Sequence, residues 1–411
     1  MFRGGDEETG VLREIRKILP HIAAAADETE RNRGLSPALI DRLGEAGIFR
    51  MMLPRSYGGE ELDFVQSMRV GEELAYADMS VGWMVMVTCG LNLNLGQFPK
   101  AAVDEVLAGG PDVRMRGATA PKGRLIEVEG GYRLSGQWPM ASGSFEPEWL
   151  VAGGFIYDGD TPRAANGAPA MHLALVKAEK AAFLDTWHTL GLRGTASHDF
   201  VLDDVFVPAH HVAPMFAPSC IDTPAYRVPA SIGNTAHHAG ARIGCAAAAL
   251  DELAALAVNK RSAFNPALRL VDDPNFKSRF GEALARLDAA RAHAEIVMRE
   301  LWELACSGRD ATPADLARAR CMLARVSTEC LEVVSEAFQL ASSSSIYSHS
   351  SLQRRLRDMQ VAAQHAAAGR YSYAMFADSY VSELAAAQGV QRTAEGSPPT
   401  PAAKPAPALA G

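Results

Sequence analysis

The chain has 411 residues, with 40 lysines and arginines against 48 aspartates and glutamates, a net charge of −8 at neutral pH. Its 48% hydrophobic and 21% charged residues are the composition of a soluble globular protein with a large core, long enough for two or three domains. It has no Lys/Arg-rich stretch and no run of 18 apolar residues, so nucleic acid, an anionic membrane surface and a membrane span are not expected.

Residues 1–111 read as helical. In "LSPALIDRLGEAGIF", Ser36 is placed as N-cap and Pro37 as first helical residue, with Ile40, Leu43 and Ala46 on one stripe. After the turn-rich "LPRSYGGEELD", the segment ending "VGWMVMVTCGLNLNLGQF" is nearly apolar, as a buried helix would be. Residues 112–231 change character: short β-rich runs such as "GRLIEVEGG", "GYRLSGQW", "EWLVAGGFIY" and "SHDFVLDDVFVP" are separated by Gly, Pro and Asp. "EVEGGYRLSG" predicts a hairpin turning at Gly130-Gly131. From 232 to 385 the helical period returns. One stripe runs from Ile243 to Ala257, a second from Phe280 to Ala305, and a third from Leu316 to Ala337 behind Thr312-Pro313. "SSLQRRLRDMQVAAQHAAA" opens a fourth, which predicts a four-helix bundle. Residues 386–411 are Ala/Pro-rich and predict a disordered tail.

Six scattered cysteines, with no Cys-x-x-Cys pair, read as reduced thiols of a cytoplasmic protein. The acidic N-terminus "MFRGGDEETG" lacks the apolar stretch of a signal peptide. No Gly-x-Gly-x-x-Gly, Walker loop or Gly-x-Ser-x-Gly elbow is present, which argues against a Rossmann site, a P-loop and an α/β-hydrolase. His210-His211 and His237-His238 tempt a metal reading. Neighbouring histidines diverge on a regular element and no spaced carboxylate or Cys motif joins them, so no metal is expected.

The stretch "QWPMASGSFEPEW" ends a strand in Ala141-Ser142-Gly143-Ser144, slim and polar between two indoles. It is either a tight bend or a place where a flat, polar-edged cofactor lies against the backbone.

The order of helices, β module and bundle, with "LGEAGIFRMMLPRSYGGEELDF", "EELAYADMSVGW", "DTWHTLGLRGTASHDFVLDDVFVP" and "EAFQLASSSSIYSHSSLQRRLRDMQ" in their places, resembles the acyl-CoA dehydrogenase superfamily. The resemblance implies an α+β, mostly α fold: an N-terminal helical domain, a middle β-barrel or sandwich, and a C-terminal four-helix bundle. The sequence departs from the dehydrogenases where a carboxylate base is expected: "DMQVAAQHAAAGRYSYAMFADSY" has His365 and no Glu, and "GATAPKGRL" replaces the usual Glu-Pro-x-x-Gly-Ser-Asp. Both changes, and the Trp-x-x-x-Ser-Gly pattern at Trp138–Gly143, resemble the branch that became two-component flavin monooxygenases.

That resemblance implies reduced FMN or FAD supplied by a separate flavin reductase, O2 as co-substrate, a C4a-hydroperoxyflavin, and hydroxylation of a small aromatic, polycyclic or amine substrate. It implies Ser142 beside flavin N5, with Trp138 and Trp149 packed around the ring or holding the strand, and Gly143 allowing close approach. It implies His365 near the substrate, where a side chain titrating near neutrality suits a phenol or amine. Thr119 falls where relatives often offer a serine to the peroxide. Arg193, Thr195 and Ser197 form a polar turn open to flavin contact or to simple turn hydrogen bonding. Arg261, Phe264 and Gln339 match places that touch flavin across a subunit interface, implying a homo-oligomer, commonly a tetramer. Arg357 and Asp358 are expected to pair within the bundle. Two rivals remain: an FAD-dependent acyl-CoA dehydrogenase with Glu332 or Glu336 as base, and a non-catalytic binding protein on the same fold.

Overall fold

The computed structural model describes residues 9–165, 167–261 and 265–388. The sequence expectations for Phe264 and for most of the 386–411 tail lie outside the described residues. Five helices come first: α1 (Gly10–Asn32), α2 (Pro37–Glu45), α3 (Phe64–Ala77), α4 (Met79–Leu95) and α5 (Lys100–Val106). Short polar side chains cap them, Ser36 among them as the sequence predicts. Ser36 accepts the N–H of Leu39, Asp63 and Gln66 make a reciprocal capping box on α3, and Asp78 takes two N–H groups at the start of α4. Helix α4 is buried on every side, so it forms a central rod rather than a surface helix.

Ten strands follow: β1 (Met115–Val128), β2 (Gly131–Trp138), β3 (Trp149–Asp158), β4 (Thr161–Pro162), β5 (Ala164–Ala165), β6 (Ala168–Pro169), β7 (Met171–Lys177), β8 (Ala182–Leu184), β9 (Asp199–Pro208) and β10 (Val212–Pro214). The predicted hairpin is present, with Val128 opposite Gly131 and Gly130 at φ +77°. The main strands make one mixed sheet in the order β10-β7-β3-β1-β2-β9-β8, with β4 on β3. The β1–β3 pair is parallel; β1–β2, β2–β9, β8–β9, β3–β7 and β10–β7 are antiparallel. One face carries Met115, Trp149, Val151, Leu173, Leu175 and Ala213 into the helical core. The other encloses its own cluster around Trp138, Leu125, Leu134, Leu150 and Phe200. Burial on both faces explains why β3 is apolar almost throughout rather than alternating.

The C-terminal helices are α6 (Ala230–Gly233), α7 (Thr235–Asn259), α8 (Pro274–Cys306), α9 (Pro313–Leu340), α10 (Ser351–Ala362) and α11 (Tyr371–Ala387). Thr312 and Asp315 form the capping box that starts α9. The fourth helix of the bundle is broken in two. Between α10 and α11, His365 is extended (φ −65°, ψ 133°) and its ring accepts the N–H of Ala367, opening a short 3-10 turn. The Ala-rich sequence predicts a continuous helix here; a histidine that caps a new turn ends it instead. No helix of the described residues is long and apolar enough to cross a membrane.

Candidate active site

The slim stretch after β2 is locked in place by three separate contacts. Arg116 of β1 sends Nη2 to the carbonyls of Ala141 (2.7 Å) and Ala196 (2.8 Å) and Nε to Ala141 (3.1 Å). Gly143, at φ +147°, donates its N–H to the Thr195 carbonyl. A Cβ at Gly143 would lie 2.8 Å from Arg116 Cγ, so only glycine lets the arginine pass. Ser144 Oγ donates to the Gly194 carbonyl at 2.6 Å. The arginine is buried with its hydrogen bonds all on carbonyls, and burial lowers it to about 10, so it stays charged at neutral pH.

Three hydroxyls run inward from this stretch. Ser142 Oγ is 2.6 Å from Ser197 Oγ, and Ser197 Oγ is 2.6 Å from Thr195 Oγ1. Thr195 Oγ1 donates to the Leu192 carbonyl at 2.8 Å. Each hydroxyl has one proton. Thr195 spends its proton on Leu192, so Ser197 donates to Thr195 and Ser142 donates to Ser197. Ser142 Oγ is left with lone pairs and no proton to offer. Its N–H is already directed to the Met140 carbonyl, so the hydroxyl oxygen is the group free for a ligand. Beside this chain, Arg193 Nε is buried without a hydrogen-bond partner among the described residues.

Trp138 does not face this site. Its indole has no exposed surface, stacks on Phe200 at 4.9 Å and donates to the Gly153 carbonyl at 2.7 Å. It spans β1 over Gly123, where a Cβ would lie 2.6 Å from the ring. The implied ring contact is corrected: Trp138 holds the strand. Trp149 is likewise buried, in the helix-facing core. Thr119 is half-buried at the irregular part of β1 opposite β3, and its hydroxyl makes no hydrogen bond among the described residues.

A second cluster is one turn along α4. Ser80 packs where a Cβ on Gly194 would fall, and Trp83 meets the rings of His238 (5.6 Å) and His365 (5.5 Å) edge-on. His365 and His238 are 4.6 Å apart. His365 is accessible to solvent yet surrounded by protein. Burial, then the charge of Arg242, lower it to about 4. His238 is pushed well below its ordinary value by burial, with His365, Arg242 and His237 adding. Both rings are therefore neutral at pH 7. Their tautomers follow from donor-only partners. The Ala367 N–H points at His365 Nδ1 (3.2 Å), and Arg242 Nη1 at His238 Nδ1 (3.2 Å). Each ring carries its proton on Nε2 and can donate there. Arg242 is fully buried and bonded to Ser327 Oγ and the carbonyls of His238 and Ala362. Arg116, Arg242 and Trp83 are not singled out by the sequence, and His238 is weighed there only as one of a histidine pair. The isolated arginines in otherwise apolar stretches are the one signal that could have found the first two.

Arg357 and Asp358 do not pair within the bundle. Asp358 Oδ1 accepts the N–H of Leu192 at 2.6 Å, and Arg357 pairs with Glu30 of α1 and donates to the Leu190 carbonyl. Arg261 and Gln339 are brought to neither cluster. Arg261 is exposed and bonds the Pro266 carbonyl; Gln339 is exposed and accepts from Arg279. Lys260 ties this end of α7 to the Ala341 carbonyl and Ser344. Glu336 is engaged by Arg279 at 2.5 Å and the exposed Glu332 pairs with Arg286, so neither is a free base. His237 and His238 diverge on α7 as expected: His237 turns to Asn234. His210 and His211 do not diverge. The chain passes there from a 3-10 turn into β10, and both rings reach Glu105.

Family models described as acyl-CoA dehydrogenase N-terminal domain and C-terminal domain match residues 6–102 and 236–370. The indole-3-acetate monooxygenase of Acinetobacter baumannii is 30% identical over 350 residues, covering 84% of this chain and 87% of that protein. The chain belongs to the acyl-CoA dehydrogenase superfamily, in its flavin-dependent monooxygenase branch. The oxygenase component of an FADH2-dependent resorcinol hydroxylase from Rhizobium sp. is 31% identical, over 68% of this chain and 69% of its own. Among solved structures, XiaF from Streptomyces sp., in complex with FADH2 and glycerol, superposes with a TM-score of 0.84 at 27% identity, covering 90% of this chain and 95% of that one. A 3-HSA hydroxylase from Rhodococcus sp. RHA1 gives 0.84 at 26% identity, over 94% and 99%. This branch member is an oxidoreductase that works with reduced flavin and O2. Two features of the stretch after β2 are compatible with a bound flavin: the Ser142 oxygen, with no proton to give, and the unpartnered buried donor at Arg193 Nε.

Proposed function

We propose that this chain is the oxygenase component of a two-component system, fed by a separate flavin reductase, and that it hydroxylates a small aromatic carrying a hydrogen-bond acceptor such as a phenolic oxygen. The observation that carries this reading is the neutral, Nε2-protonated His365 beside His238 and Trp83. When bound, reduced flavin activates O2 and supplies the oxygen atom.

The remaining roles belong to the chain. Ser142 Oγ would accept the N–H at flavin N5, which is present in the reduced ring and absent from the oxidised one. Arg116, charged behind the Ala141 carbonyl, favours the negative charge of reduced flavin. Gly143, Thr195 and Ser197 hold the Ser142 oxygen, and Arg193 supplies a polar contact. Thr119 offers the one uncommitted hydroxyl on the same strand as Arg116. His365 would donate from Nε2 to the substrate oxygen and so orient the aromatic ring, as a neutral hydrogen-bond donor rather than as a base. Trp83 gives the aromatic ring an edge to pack against. Arg261 and Gln339, exposed at the α7 and α9 ends, would meet the flavin of a neighbouring copy in a homotetramer.

The experiment is single-turnover mixing. Protein loaded anaerobically with reduced FAD or FMN is mixed with 18O2 and a panel of phenols and indoles, and products are read by mass spectrometry. One 18O atom in a hydroxylated product is the expected result. Tight binding of oxidised FAD, with bleaching on addition of an acyl-CoA, would replace this reading with the dehydrogenase one.

A further inference from the structure

We propose that Glu105, His210 and His211 form a site for one divalent transition-metal cation of the zinc type, which staples the N-terminal helices to the end of the sheet. Glu105 is on α5 and the two histidines lie on the turn between β9 and β10, more than a hundred residues away in sequence. His211 Nε2 is 2.9 Å and His210 Nε2 3.4 Å from the same carboxylate oxygen, and one ligand atom from each of the three residues lies within 4.8 Å of the other two. Ligand atoms about 2.0–2.2 Å from a tetrahedral zinc ion are separated by about 3.3 Å, so this triangle closes on a metal with small adjustments.

The set has the chemistry that suits an imidazole-binding cation: two imidazole nitrogens and one carboxylate, with solvent free to supply a fourth ligand. His211 is 5% exposed, and its ring is fixed edge-on against Trp149 at 5.4 Å. His210 and Glu105 are exposed, which leaves an entry path. The two rings, with centroids 4.3 Å apart, already face one point. Each Nε2–H now donates to Glu105; on binding, each ring would present its Nε2 lone pair to the ion and carry its remaining proton on Nδ1. Lys177 is the cation that opposes a charge here through His211. Its ammonium is held 3.8 Å over the Trp149 ring, where the indole partly offsets it.

The test uses the full-length chain without a polyhistidine tag, stripped with chelator and titrated with Co2+. The readouts are calorimetry and the visible d–d absorption of a four-coordinate ion. About one equivalent should bind through nitrogen and oxygen, and His210→Ala and Glu105→Gln should each weaken binding at least tenfold. Both positions are exposed, so both variants should fold, which circular dichroism checks. Zn2+ at a fixed excess should raise the thermal midpoint of the parent chain by more than that of either variant. Three outcomes would overturn the site: no uptake at several-fold excess, unchanged affinity in both variants, or a thiolate charge-transfer spectrum that vanishes when the exposed Cys220 and Cys306 are replaced by serine.

Discussion

Asp358, on the bundle helix α10, accepts the backbone N–H of Leu192 at 2.6 Å and, with Arg357 on the Leu190 carbonyl, ties the bundle to the loop that orders Ser142. Leu192 has φ +52°, its carbonyl takes the end of the hydroxyl chain, and the same carbonyl accepts Trp187 Nε1 at 2.9 Å. The loop also runs tight against α10: a Cβ at Gly191 would lie 2.3 Å from the Arg357 carbonyl carbon. Asp358→Ala should orphan the Leu192 N–H, at a cost of about 1–3 kcal/mol. It should also weaken flavin binding through Ser142, read by denaturant unfolding and anaerobic flavin titration. Equal flavin affinity in a folded variant would detach the loop from the site.

The same carboxyl makes stability depend on pH in an unusual direction. Burial, with Asp78 nearby, pushes Asp358 up to about 7 from an ordinary 3.8, while the Leu192 N–H and Arg354 oppose and Glu30 adds. A carboxyl raised on folding holds its proton more tightly in the native chain. Its contribution is complete below about pH 4 and is lost as pH rises through about 7. Asp358→Asn removes the titration while keeping an acceptor. The difference in thermal midpoint between parent and variant should shift in the variant's favour from pH 4 to 7, and a flat difference would sink this assignment.

The hydroxyl chain predicts a preference between redox forms. With Ser197 in place, Ser142 must donate inward, and its oxygen suits the N5–H of reduced flavin. Ser197→Ala frees the Ser142 proton to donate to the bare N5 of oxidised flavin. The ratio of oxidised to reduced dissociation constants should fall about tenfold, the worth of one hydrogen bond. Anaerobic and aerobic titrations on the same preparation measure it. An unchanged ratio would show that the proton order has no influence on the ligand.

Much of this architecture was legible in local chemistry. The caps at Ser36 and Thr312, the Gly130-Gly131 hairpin and the spacing from Trp138 to Gly143 each rest on neighbouring residues, which the sequence displays directly. The groups that set the electrostatics were not legible. Arg116 reaches Ala196, and Arg242 reaches Ala362, through contacts 80 and 120 residues apart. The break at His365 falls in an Ala-rich run of high helix propensity, and a tertiary setting against Trp83 and His238 overrides it. The convergence of His210 and His211 depends on a change of backbone geometry that spacing rules assume away.

Arg242 predicts where the activity should fail in acid. Its charge is the second cause, after burial, of the low value of about 4 at His365. Arg242→Gln removes that charge and should raise His365 by about one unit, as expected for losing a nearby like charge. Histidine ring resonances followed by NMR through an acid titration report it directly. Protonation puts a proton on Nδ1, where the Ala367 N–H now points, and so breaks the turn that positions the ring; the acid limb of the parent profile should lie near pH 4 and move up in the variant. The stability term has the matching sign. A histidine depressed on folding contributes fully above about 6.5 and loses that contribution as pH falls through about 4. If the variant's NMR titration stays near 4, the Arg242 charge is not what acts on this ring.

Trp138 offers the clean separation of support from chemistry. Its indole bridges β2 to β3 across Gly123 without touching the ligand-facing side. Gly123→Ala places a methyl 2.6 Å from the ring, an overpacking that should destabilise by about 1–3 kcal/mol. The strain falls on the strand that leads to Ser142, four residues beyond the indole. Flavin affinity should therefore drop with stability, while His365, carried by the bundle, keeps its titration near pH 4. A variant that loses stability and keeps its flavin affinity would show that the loop is held by Arg116 and Thr195 alone, with no contribution from the strand behind it.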